Sequence, residues 1–188
     1  MSSEPPPRTI DDIAADYAAF CQEVADRCTR DIPAIERLIS ILEEKKPVHC
    51  YGFGRSGDVA SALAIRLRHF QKHLGDVWFC GDLVRNTFNE MDLLIVISKS
   101  CSRPDLLHHV ETARKEGMAC AFVTRNPPLP ACIREGDLVF SLPSMKGDAV
   151  YGGGDFELAA FFFQEVLVSR IGARFGINPH DVDKHHVP

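Results

Sequence analysis

Two short stretches of the chain carry residues that could do chemistry. Gly52, Gly54 and Gly57 spell G-x-G-x-x-G directly after an apolar run, with Arg55 and Ser56 in the variable positions. A loop of this kind exposes backbone N–H groups and opens a helix whose positive end attracts anions. The cation and the hydroxyl favour a terminal phosphate, because the pyrophosphate of a dinucleotide normally meets bare backbone here. A dinucleotide reading stays open, since Asp82 ends the next strand-like run where a ribose-binding acid would stand, although it lies further along than the usual ~20 residues. The second stretch is Ser98-Lys99-Ser100-Cys101-Ser102, between the apolar run 92–97 and a helix beginning near Pro104. Two neighbouring strand-to-helix turns would then aim hydroxyls and two helix N-termini at one place, a pocket suited to a compact phosphate monoester. The alternative is that Ser98, Ser100 and Ser102 only cap a helix.

The elements that must position these turns follow from periodicity. Ile10, Ile13, Ala14, Tyr17, Phe20 and Val24 recur at helical spacing, as do Ile32, Ile35, Leu38, Ile39 and Leu42 up to Pro47. Beyond Pro47 the pattern alternates: strands at about 48–51, 77–80, 92–97, 119–123 and 138–141, helices at about 56–74, 104–116 and 155–172, and a short one near 129–134. All-apolar strands separated by helices imply a parallel sheet covered on both faces. The expected fold class is α/β, a three-layer α/β/α sandwich preceded by N-terminal helices that cap the core or form an oligomer contact. The domain plan is a disordered arm over 1–9 and one domain over 10–188, comprising helices 10–46, a sheet core 47–172 and a tail 173–188. A ligand of such a sheet sits outside the carboxyl ends of the strands, near the point where strand order reverses.

Composition narrows the function classes. With 188 residues, 45% of them apolar, the chain closes one core. A net charge of -5 with interspersed signs gives no basic stripe for nucleic acid. No apolar run reaches the ~18–20 residues that span a bilayer, and the first residues lack a basic-then-apolar leader, so the expected location is cytoplasmic. Seven cysteines without C-x-x-C spacing suggest neither a disulfide framework nor a zinc site. Cys50, Cys80 and Cys120 read as small buried hydrophobes, while Cys101 reads either as a partly exposed thiol or as a packed one.

The run YGFGRSGDVASALAIRLRHF, the strand DLLIVIS with its serine turn, and the later DFELAAFFFQEVLVSRI together resemble the SIS (sugar isomerase) fold, and within it the 6-phospho-3-hexuloisomerases. The resemblance covers residues 30–172. It implies a flavodoxin-like five-stranded parallel sheet, a homodimer or homotetramer with sites near subunit boundaries, and no cofactor. It also implies interconversion of a 3-keto and a 2-keto hexose 6-phosphate through an enediol. By the same resemblance Gly54, Arg55, Ser56, Ser98, Ser100, Ser102 and Asp82 hold the phosphate and sugar, and Glu157 is the general base. His69 lies ~20 Å along its helix from the phosphate end, at 1.5 Å per residue, so an acid/base role there is played in a neighbouring subunit's pocket. His69 and His73 are spaced to chelate a metal, but no third ligand is visible and none is expected. Phe161, Phe162 and Phe163 read as packing, one or two of them at a subunit interface. His180, Lys184, His185 and His186 are possible visitors to the site from the tail.

The sequence departs from the family pattern at three places. The family turn S-G-S-G-x-T becomes Ser98 to Arg103 with both glycines filled. Asp82 stands where a glutamate is usual, and Gln71 to Leu74 lengthen the first crossover helix. These departures keep a non-catalytic phosphosugar-sensing SIS protein as the alternative function, ahead of a nucleotide-dependent Rossmann enzyme.

Overall fold

Capping and apolar spacing set the first two helices of the computed structural model, which describes residues 8–44, 46–83, 86–125, 127–145 and 154–178. In α1 (Ile10–Arg30), Thr9 Oγ1 accepts the Asp12 N–H at 3.2 Å while the Asp12 carboxylate accepts the Thr9 N–H at 3.1 Å, a closed capping box. The end of the expected arm therefore belongs to the helix cap, and residues 1–7 lie outside the described residues. Phe20, Val24 and Cys28 form the buried stripe of α1, and Ile35, Leu38, Ile39 and Leu42 that of α2 (Ile32–Glu43).

The remaining elements are β1 (Val48–Tyr51), α3 (Arg55–Arg68), α4 (Gln71–Leu74), β2 (Val77–Phe79), β3 (Leu93–Ile97), α5 (Pro104–Lys115), β4 (Ala119–Arg125), β5 (Leu138–Leu142) and α6 (Asp155–Arg174). The five strands form one sheet in the order β2-β1-β3-β4-β5, every neighbouring pair parallel. Strand order thus reverses between β1 and β3. Two expectations need correction. The single helix expected over 56–74 breaks after Arg68, because Phe70 and Leu74 both turn into the core. The short helix expected near 129–134 is an isolated turn, closed by Ile133 N–H on Pro130 C=O at 3.1 Å.

Alternation along the strands divides the core between two faces. Val48, Cys50, Leu93, Ile95 and Ile97 meet α1, α2, α3 and α6, while Tyr51, Leu94, Val96 and Phe122 lie under α5 with Leu106 and Val110. Each fully buried Leu, Ile or Phe contributes about 1.5–3 kcal/mol before conformational entropy is set against it. The three consecutive phenylalanines divide as an arc that wide requires. Phe163 packs on Phe140 with ring centroids 4.7 Å apart, Phe162 is half-buried, and Phe161 is exposed. His49 holds a strand position with no exposed surface, and Asp92 Oδ2 lies 3.0 Å from its Nε2. No described helix is long and apolar enough to cross a membrane.

Two features of the turns are testable. A Cβ on Gly52 would lie 2.4 Å from the Ser56 carbonyl oxygen. Gly52→Ala should therefore lower the urea midpoint, at unchanged slope, by the equivalent of about 3 kcal/mol. Cys101, at φ +47° and 3% exposed, is packed into the core, and burial pushes its thiol up to about 12. At pH 8 about one molecule in ten thousand then carries the thiolate. Iodoacetamide should leave Cys101 unmodified in the native protein and modify all seven cysteines after unfolding, as read by peptide mass mapping.

Candidate active site

Both chemistry-bearing turns leave the carboxyl ends of the strands that flank the reversal. Gly54, at φ +58°, turns the chain into α3, so Arg55 and Ser56 occupy the first helical turn. Around this loop lies an open cleft of about 620 Å³, lined by Tyr51 to Arg55, Gly57, Asp58, Ser61 and Phe79 to Gly81. The serine turn after β3 is held from inside. Ser98 Oγ accepts the Cys101 N–H at 3.1 Å, and Thr124 Oγ1 donates to the Lys99 carbonyl at 3.2 Å. Ser100 and Ser102 remain at the exposed rim with their hydroxyls 2.7 Å apart. Cys101 adopts the positive φ that suits glycine, and its thiol points into the core. The filled position strains the turn by roughly 1–2 kcal/mol without crowding it.

Arg103 joins the two turns. Its guanidinium lies 3.5 Å from the centre of the Phe53 ring, in the middle of the glycine loop, and pairs with Asp105 at 3.1 Å. That pairing holds the Asp105 carboxyl below the usual carboxylate range. Exposed aromatic–guanidinium contacts of this kind contribute about 0.5–1 kcal/mol.

From the third element, α6, Glu157 reaches back to the glycine loop. Ser56 Oγ donates to Glu157 Oε1 at 2.9 Å, and an Arg55 nitrogen lies 3.6 Å from Oε2. The Glu157 side chain is 14% exposed. Arg55, Ser56 and Glu157 are therefore one cluster, though a hundred residues separate its halves in sequence. Two residues earlier Asp155, only 3% exposed, accepts the Met145 N–H at 3.2 Å and faces Lys99 at 3.8 Å and Arg125 at 3.7 Å. Sequence reasoning did not single out Asp155 or Arg125. The available signals were a cation closing the apolar strand β4 and a second acid on the first turn of α6.

Two expected residues stand apart from this cluster. His69 caps the carboxyl end of α3, the end away from Ser56. Asp82 pairs with Arg68 on the last turn of α3 at 2.5 Å and accepts the Phe79 N–H at 3.1 Å. The acid that a dinucleotide reading would place on a ribose is thus engaged with an arginine. His73 stacks on Phe175 at 4.5 Å, and among the described residues no three His, Cys, Asp or Glu side chains are grouped to hold a metal ion. Cys80 is half-buried, unlike Cys50 and Cys120, which are buried. The tail residues His180, Lys184, His185 and His186 lie outside the described residues.

No profile of a known protein family matches the chain. A curated relative from Mycobacterium gastri, named 3-hexulose-6-phosphate isomerase, is 30% identical over 164 residues, which cover 84% of this chain and 81% of the relative. Among solved structures, a hypothetical protein from Methanococcus jannaschii, described as inferring a 3-hexulose-6-phosphate isomerase function, superposes with a TM-score of 0.79 at 20% identity over 92% of this chain and 98% of its own. The Vibrio vulnificus NanR protein complexed with ManNAc-6P superposes with a TM-score of 0.71 at 19% identity, covering 93% of this chain and 66% of that one. Strand order, the ordered run of motifs and the relative at 30% identity agree, and the chain belongs to the sugar isomerase (SIS) family, among proteins similar to the 6-phospho-3-hexuloisomerases.

Proposed function

We propose that this protein is a phosphosugar isomerase that moves a carbonyl between carbons 3 and 2 of a hexose 6-phosphate through an enediol, without a cofactor. The observation that carries the reading is the hydrogen bond of Ser56 to Glu157 at the N-terminus of α3. It puts a carboxylate beside the loop best suited to a phosphate. The phosphate rests on the N–H groups of the glycine loop and on the hydroxyls of Ser56, Ser100 and Ser102, between two helix N-termini. Ser98, whose hydroxyl already accepts the Cys101 N–H, acts by shaping its turn, and Gly54 lets the backbone approach. When Ser56 turns to the phosphate, Glu157 Oε1 is released to work as a base.

Glu157 takes the proton from carbon 2 of the 3-keto sugar, electrons shift toward the carbonyl oxygen, and the 2,3-enediol forms. The same carboxyl returns the proton to carbon 3 while the hydroxyl proton passes from O2 to O3. The charge on Arg55, beside the carboxylate, stabilises the enediolate. Asp82, held by Arg68, contributes to the sugar's surroundings from the edge of the cleft. His69 serves as the acid/base group of a neighbouring subunit's site in a homodimer or homotetramer. Ile65 and Phe161, exposed apolar side chains on α3 and α6, support such an interface. We place the protein in the cytoplasm, where phosphorylated sugars are kept.

A sensing protein that binds without turnover is the second reading. It is favoured by Lys99 and Arg103, which stand in the serine turn where the family pattern has a glycine and a threonine. Glu157→Gln separates the two. The isomerase reading expects deuterium from D2O to enter fructose 6-phosphate beside its carbonyl, by proton NMR, in the wild type without added metal or cofactor. In Glu157→Gln exchange should fall about 10²–10⁴-fold while sugar-phosphate affinity stays within about threefold. Saturable binding with no exchange in the wild type would establish the sensor.

A further inference from the structure

We infer that Asp155 is a positioning residue that fixes the serine turn against the first turn of α6, through Lys99 and Arg125, and so sets where Glu157 stands relative to a bound phosphate. The inference rests on the proposed isomerase site and adds a residue to it. Asp155 is 3% exposed, and a carboxylate so buried persists only when charge and hydrogen bonds compensate it. Its compensation comes from three strand ends at once. Lys99 follows β3, Arg125 closes β4, and the Met145 N–H follows β5. These are the ends that rim the site on the side of the reversal occupied by the serine turn.

Lys99 is held at both of its ends. Its carbonyl accepts from Thr124 Oγ1 and its ammonium faces Asp155. The residue lies between Ser98 and Ser100, so the tie fixes the backbone that carries the serine hydroxyls. Positions 155 and 157 are about 200° apart around a helix, so the turn that Asp155 anchors on its inner side presents Glu157 on the other, toward Ser56. Arg125 also bonds Ser144, which draws the loop after β5 into the same knot. Lys99 fills a glycine position of the family turn. The tie is thus a device of this chain rather than of the pattern that carries its resemblance.

The test is a double-mutant cycle on Asp155→Asn and Lys99→Met, read in isomerisation kinetics and in urea stability. Asparagine keeps an acceptor for the Met145 N–H and removes the charge. Each single variant should lower kcat about tenfold to a hundredfold with KM within about threefold, since displacement of the base slows chemistry more than it weakens binding. The double variant should be no slower than the slower single one. Coupling should be weaker in the urea midpoint than in kcat, which a merely structural pair would not produce. Wild-type kinetics in Lys99→Met, a fall in KM terms alone, or effects that multiply would overturn the inference. If Asp155→Asn does not fold, Lys99→Met and Arg125→Met, both at half-exposed positions, carry the test, and unchanged kcat in both overturns it. If the wild type turns over no sugar phosphate, the proposed function fails on its own. The cycle is then read from the amide shifts of Ser100 and Ser102, which the two substitutions should move alike; unmoved shifts reject the tie.

Discussion

The parallel pairing of β1 with β3 is the constraint on which the site depends. Val48 lies opposite Leu93 and Tyr51 opposite Val96, so the residues that follow each strand emerge side by side, about 4.8 Å apart by sheet spacing. The chain then leaves β1 through α3 to one face of the sheet and β3 through α5 to the other. Two turns that start as neighbours and diverge bring both helix N-termini to the carboxyl edge of the sheet, and the open cleft beside the glycine loop is bounded on its other side by Phe79 to Gly81 at the end of β2. A slip of β3 by one residue against β1 would turn each β3 side chain to the other face of the sheet and move the serine turn past the glycine loop. Leu93 to Ile97, buried along their whole length, hold the register.

Charge in this region is arranged in pairs. Arg55 faces Glu157, Lys99 and Arg125 face Asp155, and Arg103 lies on Phe53 and Asp105. Where such partners are exposed they contribute little to stability, and the cations can be redirected toward an arriving phosphate dianion. Where the acid is buried, as at Asp155, the pairing fixes the position of the serine turn relative to α6. The filled glycines of the serine turn fit this division. Cys101 meets the backbone requirement by accepting a left-handed conformation and sinking its side chain into the core, while Lys99 directs its side chain to Asp155.

Much of this was legible in the sequence. The five strands, their parallel arrangement and the convergence of two phosphate-suited turns follow from all-apolar runs broken by glycine and serine, signals that depend on neighbours a few residues away. The fate of particular side chains did not. Glu157 was found through resemblance, but its bond to Ser56 required α6 to lie over α3. Asp82 ends the strand-like run that follows the glycine loop, yet Arg68 holds it in an ion pair that no spacing rule foresees. Asp155 was passed over because a buried acid and a helix-end acid look alike until the strand ends around them are placed. The apolar spacing near 129–134 closes only one turn, and the break after Arg68 has no periodic signature because Phe70 continues the helical spacing while turning into the core.

Binding of one phosphate between the glycine loop and the serine turn decides whether the proposed function holds. It is tested most directly by following backbone amide resonances of ¹⁵N-labelled protein while fructose 6-phosphate, and separately inorganic phosphate, are titrated in. The largest saturable shifts are expected at the amides of Gly54 to Gly57 and Ser100 to Arg103, in both titrations, with those of Arg114 and Lys115 in the last turn of α5 unmoved. Saturable shifts centred on α5 and the loop near Phe88, with the two turns silent, would contradict it.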